Sequence, residues 1–166
     1  MSTAPVPPAT PAPPVGDRIE EVATYHAPRS RVWRALIDPN ELGAWFGVNL
    51  AGVTIAPGAH LRRNFTIPGH ERAVFDVIIE TVEPEVCFSW RWHPHAIDPD
   101  MDYSSEQRTL VEFTLEDTPS GGTRVRVVET GFDAVPEARR ERAFRGNSGG
   151  WRSQMQERLA GYLTAR

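Results

Sequence analysis

Residues 27–47, APRSRVWRALIDPNELGAWFG, decide the architecture. Pro28 can open a helix at a position where its missing N–H costs nothing. Val32, Trp33, Leu36 and Ile37 then recur at helical spacing. Asp38 is a good N-cap for a second, shorter helix, with Pro39 at its first position and Glu41 three residues after the cap. Leu42, Trp45 and Phe46 face inward from that helix, and Gly47 ends it. Two short helices joined at a capped kink, with aromatics on the inner side, need a large apolar surface to cover.

The flanking sequence supplies strands for that surface. Residues 17–26 read as a first strand in which Ile19 and Val22 cannot share a face, so Ile19 is expected near a strand end or in a bulge. After Gly47 come a short strand at Val48–Ala51 and longer ones at 59–67, 71–80, 86–92, 105–116 and 123–129. Pro57-Gly58, Pro68-Gly69, Pro84 and the run 117–122 punctuate them. Ala73, Phe75, Val77 and Ile79 share one face, and Val86, Phe88 and Trp90 alternate with Cys87, Ser89 and Arg91. Residues 93–104 break the alternation as an irregular excursion. Tight turns and the absence of a βαβ rhythm imply an antiparallel meander. Residues 136–144 have helical composition, and the glycines between 146 and 150 are expected to interrupt it. From Trp151 to about Thr164, Trp151, Met155, Leu159, Tyr162 and Leu163 fall on one helical face. The expected class is α+β, a curved antiparallel sheet of six or seven strands wrapped around a long C-terminal helix. Residues 17–166 form that domain, and residues 1–16, with six prolines, form a disordered tail.

A formal net charge of −4 argues against general nucleic-acid binding. No apolar run approaches the ~20 residues of a membrane span, no signal-peptide pattern opens the chain, and a cytoplasmic location is the default expectation. The single cysteine, Cys87, excludes an intrachain disulfide and reads as a small buried hydrophobe. His93 and His95 form an H-x-H pair, but Pro94 weakens the strand between them and no further ligand completes a metal set. The aspartates 98, 100 and 102 lack the glycine and distal glutamate of a calcium loop. No nucleophile elbow, phosphate loop or dinucleotide fingerprint occurs, so neither metal nor cofactor is expected. His93, Arg91, Arg63 and Glu112 are the candidates for acid–base work, each expected to face solvent.

A twisted sheet gripping a helix leaves space between them. Trp45, Phe46, Trp90, Trp92 and Trp151 could line it, with Met155 and Leu159 from the helix and His93 at the rim.

The run at 32–47 resembles the signature of the Hsp90-ATPase-activator-homology domains of the START-like, or SRPBCC, superfamily. Gly150-Trp151 with Gln154, Met155, Leu159 and Leu163 resembles that family's terminal helix. The resemblance covers about residues 17–165 and implies a helix-grip fold with a cavity between sheet and helix. It implies binding of a small hydrophobic or aromatic molecule there without covalent catalysis. A cyclase- or aromatase-like proton-transfer enzyme using the same cavity is one alternative. A protein-interaction role, co-chaperone-like or as a homodimer, is another. The tail is too short to replace the N-terminal domain of the full co-chaperones, so an Hsp90-type partner is not expected.

Overall fold

The computed structural model describes residues 14–165. Residues 1–13, most of the expected tail, and Arg166 lie outside the described residues. The chain runs β1 (Arg18–Tyr25), α1 (Arg29–Ile37), α2 (Pro39–Phe46), β2 (His60–Asn64), β3 (Val74–Glu83), β4 (Cys87–Trp92), β5 (Thr109–Asp117) and β6 (Thr123–Thr130). A 3-10 turn (Phe132–Ala134) then leads into α3 (Glu137–Ser153), which continues through a π-helical turn (Gln154–Leu159) into α4 (Ala160–Thr164).

The six strands make one sheet in the order β1-β6-β5-β4-β3-β2, every neighbouring pair antiparallel. One face is packed and the other is wetter, as alternation in an antiparallel sheet requires. Val77, Ile79, Phe88, Trp90, Val111, Phe113, Val125 and Val127 lie on the packed face. The meander and the inward register of Ala73, Phe75, Val77 and Ile79 match the expectation. Val48–Ala51 does not form a strand. It contributes one bridge, Val48 to Phe65, because Gly43 brings the end of α2 against its backbone. Ile19 is the second residue of β1 and pairs in unbroken register with Glu129, while Val22 takes the opposite face. No bulge is needed there. The one irregularity among the paired strands lies between β3 and β4, at Ile79/Thr81.

The paired helices form as their caps dictate. Asp38 accepts hydrogen bonds from the N–H groups of Asn40 (3.0 Å) and Glu41 (3.1 Å), Pro39 occupies the first turn, and Gly47 closes α2 in the left-handed region at φ 92°. Trp45 donates from Nε1 to the Ala35 carbonyl (2.8 Å) and so ties α2 back to α1.

The glycines at 146–150 do not interrupt the C-terminal helix; α3 runs through them. Tertiary packing overrides their poor propensity, because buried Phe144 and Trp151 anchor the helix on either side. Gly146 is required sterically: a Cβ there would sit 2.6 Å from the ring of His95. The π turn has a packing consequence as well. Gln154 donates to the Phe46 carbonyl (3.2 Å), Arg158 to the Trp45 carbonyl (2.7 Å) and Tyr162 to Glu41 (2.8 Å). The last helix thereby fastens the first turn of α2 at Glu41 and its C-terminal end, whose final carbonyls have no partner within their own helix.

Gly43 is the tightest point of this assembly, since a Cβ would fall within contact distance of the Val48 carbonyl oxygen and the Leu50 nitrogen, both backbone. Gly43→Ala is expected to lower unfolding free energy by about 1–3 kcal/mol in urea denaturation, despite alanine's better helix propensity.

Candidate functional site

The inward aromatics fill the space between sheet and helix. Phe46 is at their centre, with ring centroids 5.4 Å from Phe75, 5.5 Å from Trp45, 5.8 Å from Trp90 and 6.0 Å from Trp151. Trp45, Phe46, Trp90, Trp151, Met155 and Leu159 are all buried, none more than 3% exposed. The Trp90 Nε1 is buried with no hydrogen-bond partner among the described residues. Of the residues expected to line a cavity, Trp92 and His93 reach one: both are half-buried and face a cleft of about 880 Å³. The other six form the packed wall behind it.

The cleft lies between β2–β4 and the excursion 93–108. That excursion is held by specific contacts. Arg139 of α3 forms an ion pair with Glu106, both side chains largely buried, donates to the Pro94 carbonyl (2.7 Å) and sits over the Tyr103 ring at 4.8 Å. His93 Nε2 meets the Glu106 carbonyl at 3.0 Å, and its ring stacks near Tyr103. His95 adopts a positive φ of 52°, rare for a non-glycine residue, which seats its ring on Gly146. Burial pulls both histidines below the ordinary imidazole value and so favours the neutral ring. On the opposite wall, Asp76 gathers His60 (2.6 Å), Arg62 (2.7 Å) and Arg108 (3.0 Å). Burial works to raise the Asp76 carboxyl, but the hydrogen bonds from His60 and Arg108 outweigh it and hold the group below the carboxylate range.

Behind the inner end of the cleft lies Glu129, fully buried. It is the next inward position of β6 after Val125 and Val127, a carboxyl where the pattern otherwise places valine. Its oxygens accept from Thr109 Oγ1 (2.6 Å), Trp92 Nε1 (2.8 Å), Trp151 Nε1 (2.8 Å) and Asn147 Nδ2 (2.9 and 3.2 Å). None of these donors is a cation, and no salt bridge reaches Glu129 among the described residues. Burial pushes its pKa up, and the four donors counteract only part of that effect. Both protonation states can be satisfied, because the Thr109 hydroxyl can donate to a carboxylate or accept from a carboxylic acid. Glu129 and Asn147 are the residues that motif reading misses. Strict period-two extrapolation from Val125 and Val127 finds the first; no local signal finds the second.

Of the remaining candidates, Arg91 alone reaches the cleft. Arg63 is exposed, Arg91 pairs with Glu80 at 3.1 Å on the cleft margin, and Glu112 lies on the opposite sheet face from Val111 and Phe113. Burial, with Glu112 and Glu83 nearby, pushes the Cys87 thiol up and away from thiolate chemistry. His93 and His95 turn to different partners, and no group of three His, Cys, Asp or Glu side chains among the described residues could hold a metal ion. No helix among them is long and apolar enough to cross a membrane.

A family model described as activator of Hsp90 ATPase homolog 1-like protein matches residues 26–164. Among solved structures, protein MLL2253 from Mesorhizobium loti shares 27% identity at a TM-score of 0.67, over 89% of this chain and 97% of that one. DynU16, from the dynemicin biosynthetic locus, shares 23% at 0.66, over 90% of this chain but 48% of its own. The Aha1 dimer of Colwellia psychrerythraea shares 18% at 0.58, over 84% of this chain and 90% of that one. No curated protein matches the chain.

The Glu129 arrangement has a pH signature. A carboxyl raised in the folded state favours folding at low pH, and that contribution is lost as pH rises from the ordinary value of 4.5 through the raised one. His93 and His95 act with the opposite sign, losing stability as pH falls below their ordinary 6.5. Comparison of wild type with Glu129→Gln cancels the histidine contribution. The variant is expected to be about 1–3 kcal/mol less stable near pH 5, because the amide must turn an N–H toward an indole N–H. The gap narrows toward pH 8, where only the wild type must ionise a buried acid; denaturation series at both pH values measure it.

Proposed function

The chain belongs to the activator of Hsp90 ATPase homolog 1-like protein family, and we propose that it binds a small aromatic molecule in the cleft between β2–β4 and residues 93–108, without covalent catalysis. The observation that carries this reading is the placement of exposed apolar side chains. Ile97 and Met101, 45% and 43% exposed, both border the cleft, and the only other large exposed hydrophobic among the described residues is Val86. Trp92 and Tyr103 add aromatic faces to the walls. A ligand between them would cover apolar surface worth about 25 cal/mol per Å². The cleft volume, about 880 Å³, suits a small molecule of a few fused rings. DynU16, which shares this fold, comes from a biosynthetic locus.

The six buried residues expected to contact the ligand serve this reading from behind: Phe46 and Trp151 back Trp92 at 6.2 and 5.7 Å and keep its ring in place. The excursion, pinned through Arg139 and Glu106, is the wall that defines ligand size. Across the mouth, Arg72 and Asp100 approach to 3.5 Å with both side chains largely exposed, a contact weak enough to open for entry.

Calorimetric titration with 1-naphthol tests the reading. Wild type is expected to bind, and the double change Ile97→Asp, Met101→Asp to weaken binding about tenfold with no loss of folding stability, since both side chains are exposed. Failure of wild type to bind at millimolar ligand, or equal binding by the double variant, would overturn the assignment.

A further inference from the structure

Resting on that reading of the cleft, we infer that Asn147 is its specificity-determining group. It presents a carboxamide oxygen to a neutral hydroxyl of the bound molecule and discriminates against a carboxylate at the same place, with Glu129 acting through it as a positioning residue.

The geometry fixes which end of the amide faces outward. Asn147 Nδ2 donates to both oxygens of Glu129, at 2.9 and 3.2 Å. A flipped amide would oppose its own oxygen to those acceptors, so the carboxyl group of Glu129 sets the orientation. The other atom, Oδ1, accepts no hydrogen bond among the described residues, yet it is absent from the buried unpartnered atoms. It is therefore not fully buried, on a residue that lines the cleft as Trp92 does. Both Asn147 and Trp92 bond the fully buried Glu129, which places them at the inner end. A ligand reaching that end meets an acceptor that lacks a donor.

The charges around the cleft point the same way. Each arginine on its walls already faces a carboxylate: Arg62 and Arg108 face Asp76, Arg72 faces Asp100 and Arg91 faces Glu80. Asp98 and Asp102 also line the cleft, and their carboxylates accept from the backbone N–H groups of Asp100 and Ser104 without a salt bridge among the described residues. An incoming carboxylate would pass these two exposed acids and then meet the Asn147 oxygen at the inner end. A phenolic hydroxyl costs far less to desolvate than a carboxylate and supplies the missing donor.

The test compares 1-naphthol with 1-naphthoate on wild type, Asn147→Leu and Glu129→Gln, by calorimetry at pH 7. Wild type is expected to prefer the naphthol by about tenfold or more. Asn147→Leu should weaken naphthol several-fold and leave naphthoate unchanged, narrowing the preference. Glu129→Gln should narrow it likewise without abolishing binding, because the Asn147 amide is then free to turn; a purely structural role would weaken both ligands equally. Should either variant fail to fold, the side-chain amide resonances of Asn147 in wild type carry the test, with a shift expected on adding naphthol and none on adding the same bound fraction of naphthoate. Equal affinity of wild type for the two ligands, a preference for naphthoate, or unchanged selectivity in folded Asn147→Leu would overturn the inference alone. Failure of both ligands to bind wild type would overturn the cleft reading and this inference with it.

Discussion

Sheet and helix are joined by one buried carboxyl. Glu129 takes hydrogen bonds from β5 through Thr109, from β4 through Trp92 and from α3 through Asn147 and Trp151. An unpaired acid in an apolar interior would be costly, and the cost is contained only while every donor is in place. The carboxyl, with the buried Tyr25 hydroxyl that donates to the Met155 carbonyl (2.7 Å), sets the rotation of the C-terminal helix against the sheet. Turning the helix by one residue would remove Asn147 and Trp151 from the site together. Apolar packing alone carries no such directional requirement.

A second set of polar contacts closes the other end of the helix. Glu41 is shared by Arg31 (2.7 Å), Arg34 (2.8 Å) and Tyr162 (2.8 Å), so that α1, α2 and α4 meet at one carboxylate. Burial works against its charge, but the tyrosine and arginine hydrogen bonds hold it below the ordinary range. Gln154 and Arg158 cap the last carbonyls of α2 from the π turn. The helix is thus fixed at Glu129 and again at Glu41, with the packed aromatics between.

The parts of the fold that could be read from the chain are those governed by local chemistry. The Asp38-Pro39 cap, the Gly47 stop and the inward run of β3 follow from residue type and period, and all appear where expected. Readings failed where tertiary contact reverses a local preference. Gly146 looks like a helix breaker, yet its missing side chain makes room for His95 within an unbroken helix. Val48–Ala51 has strand composition but lies against α2, where one bridge is all that forms. Trp92 and His93, at and just past the end of an alternating strand, line the cleft, whereas the Asn147–Glu129 contact joins two elements and leaves no mark in either local pattern.

That division separates what can vary around the cleft from what cannot. Trp45, Phe46, Trp90 and Trp151 are committed to stability, and altering any of them disturbs many neighbours at once. The cleft draws instead on an irregular excursion whose backbone is held at a few points, chiefly by Arg139 at Glu106 and Pro94. Residues between those points, Ile97 and Met101 among them, can be exchanged without touching the aromatic core. The inner wall is less free: Trp92 and Asn147 answer to Glu129, and Glu129 to the sheet–helix junction. The shape of the cleft can vary with the excursion, whereas the polar groups at its inner end are coupled to the stability of the fold itself.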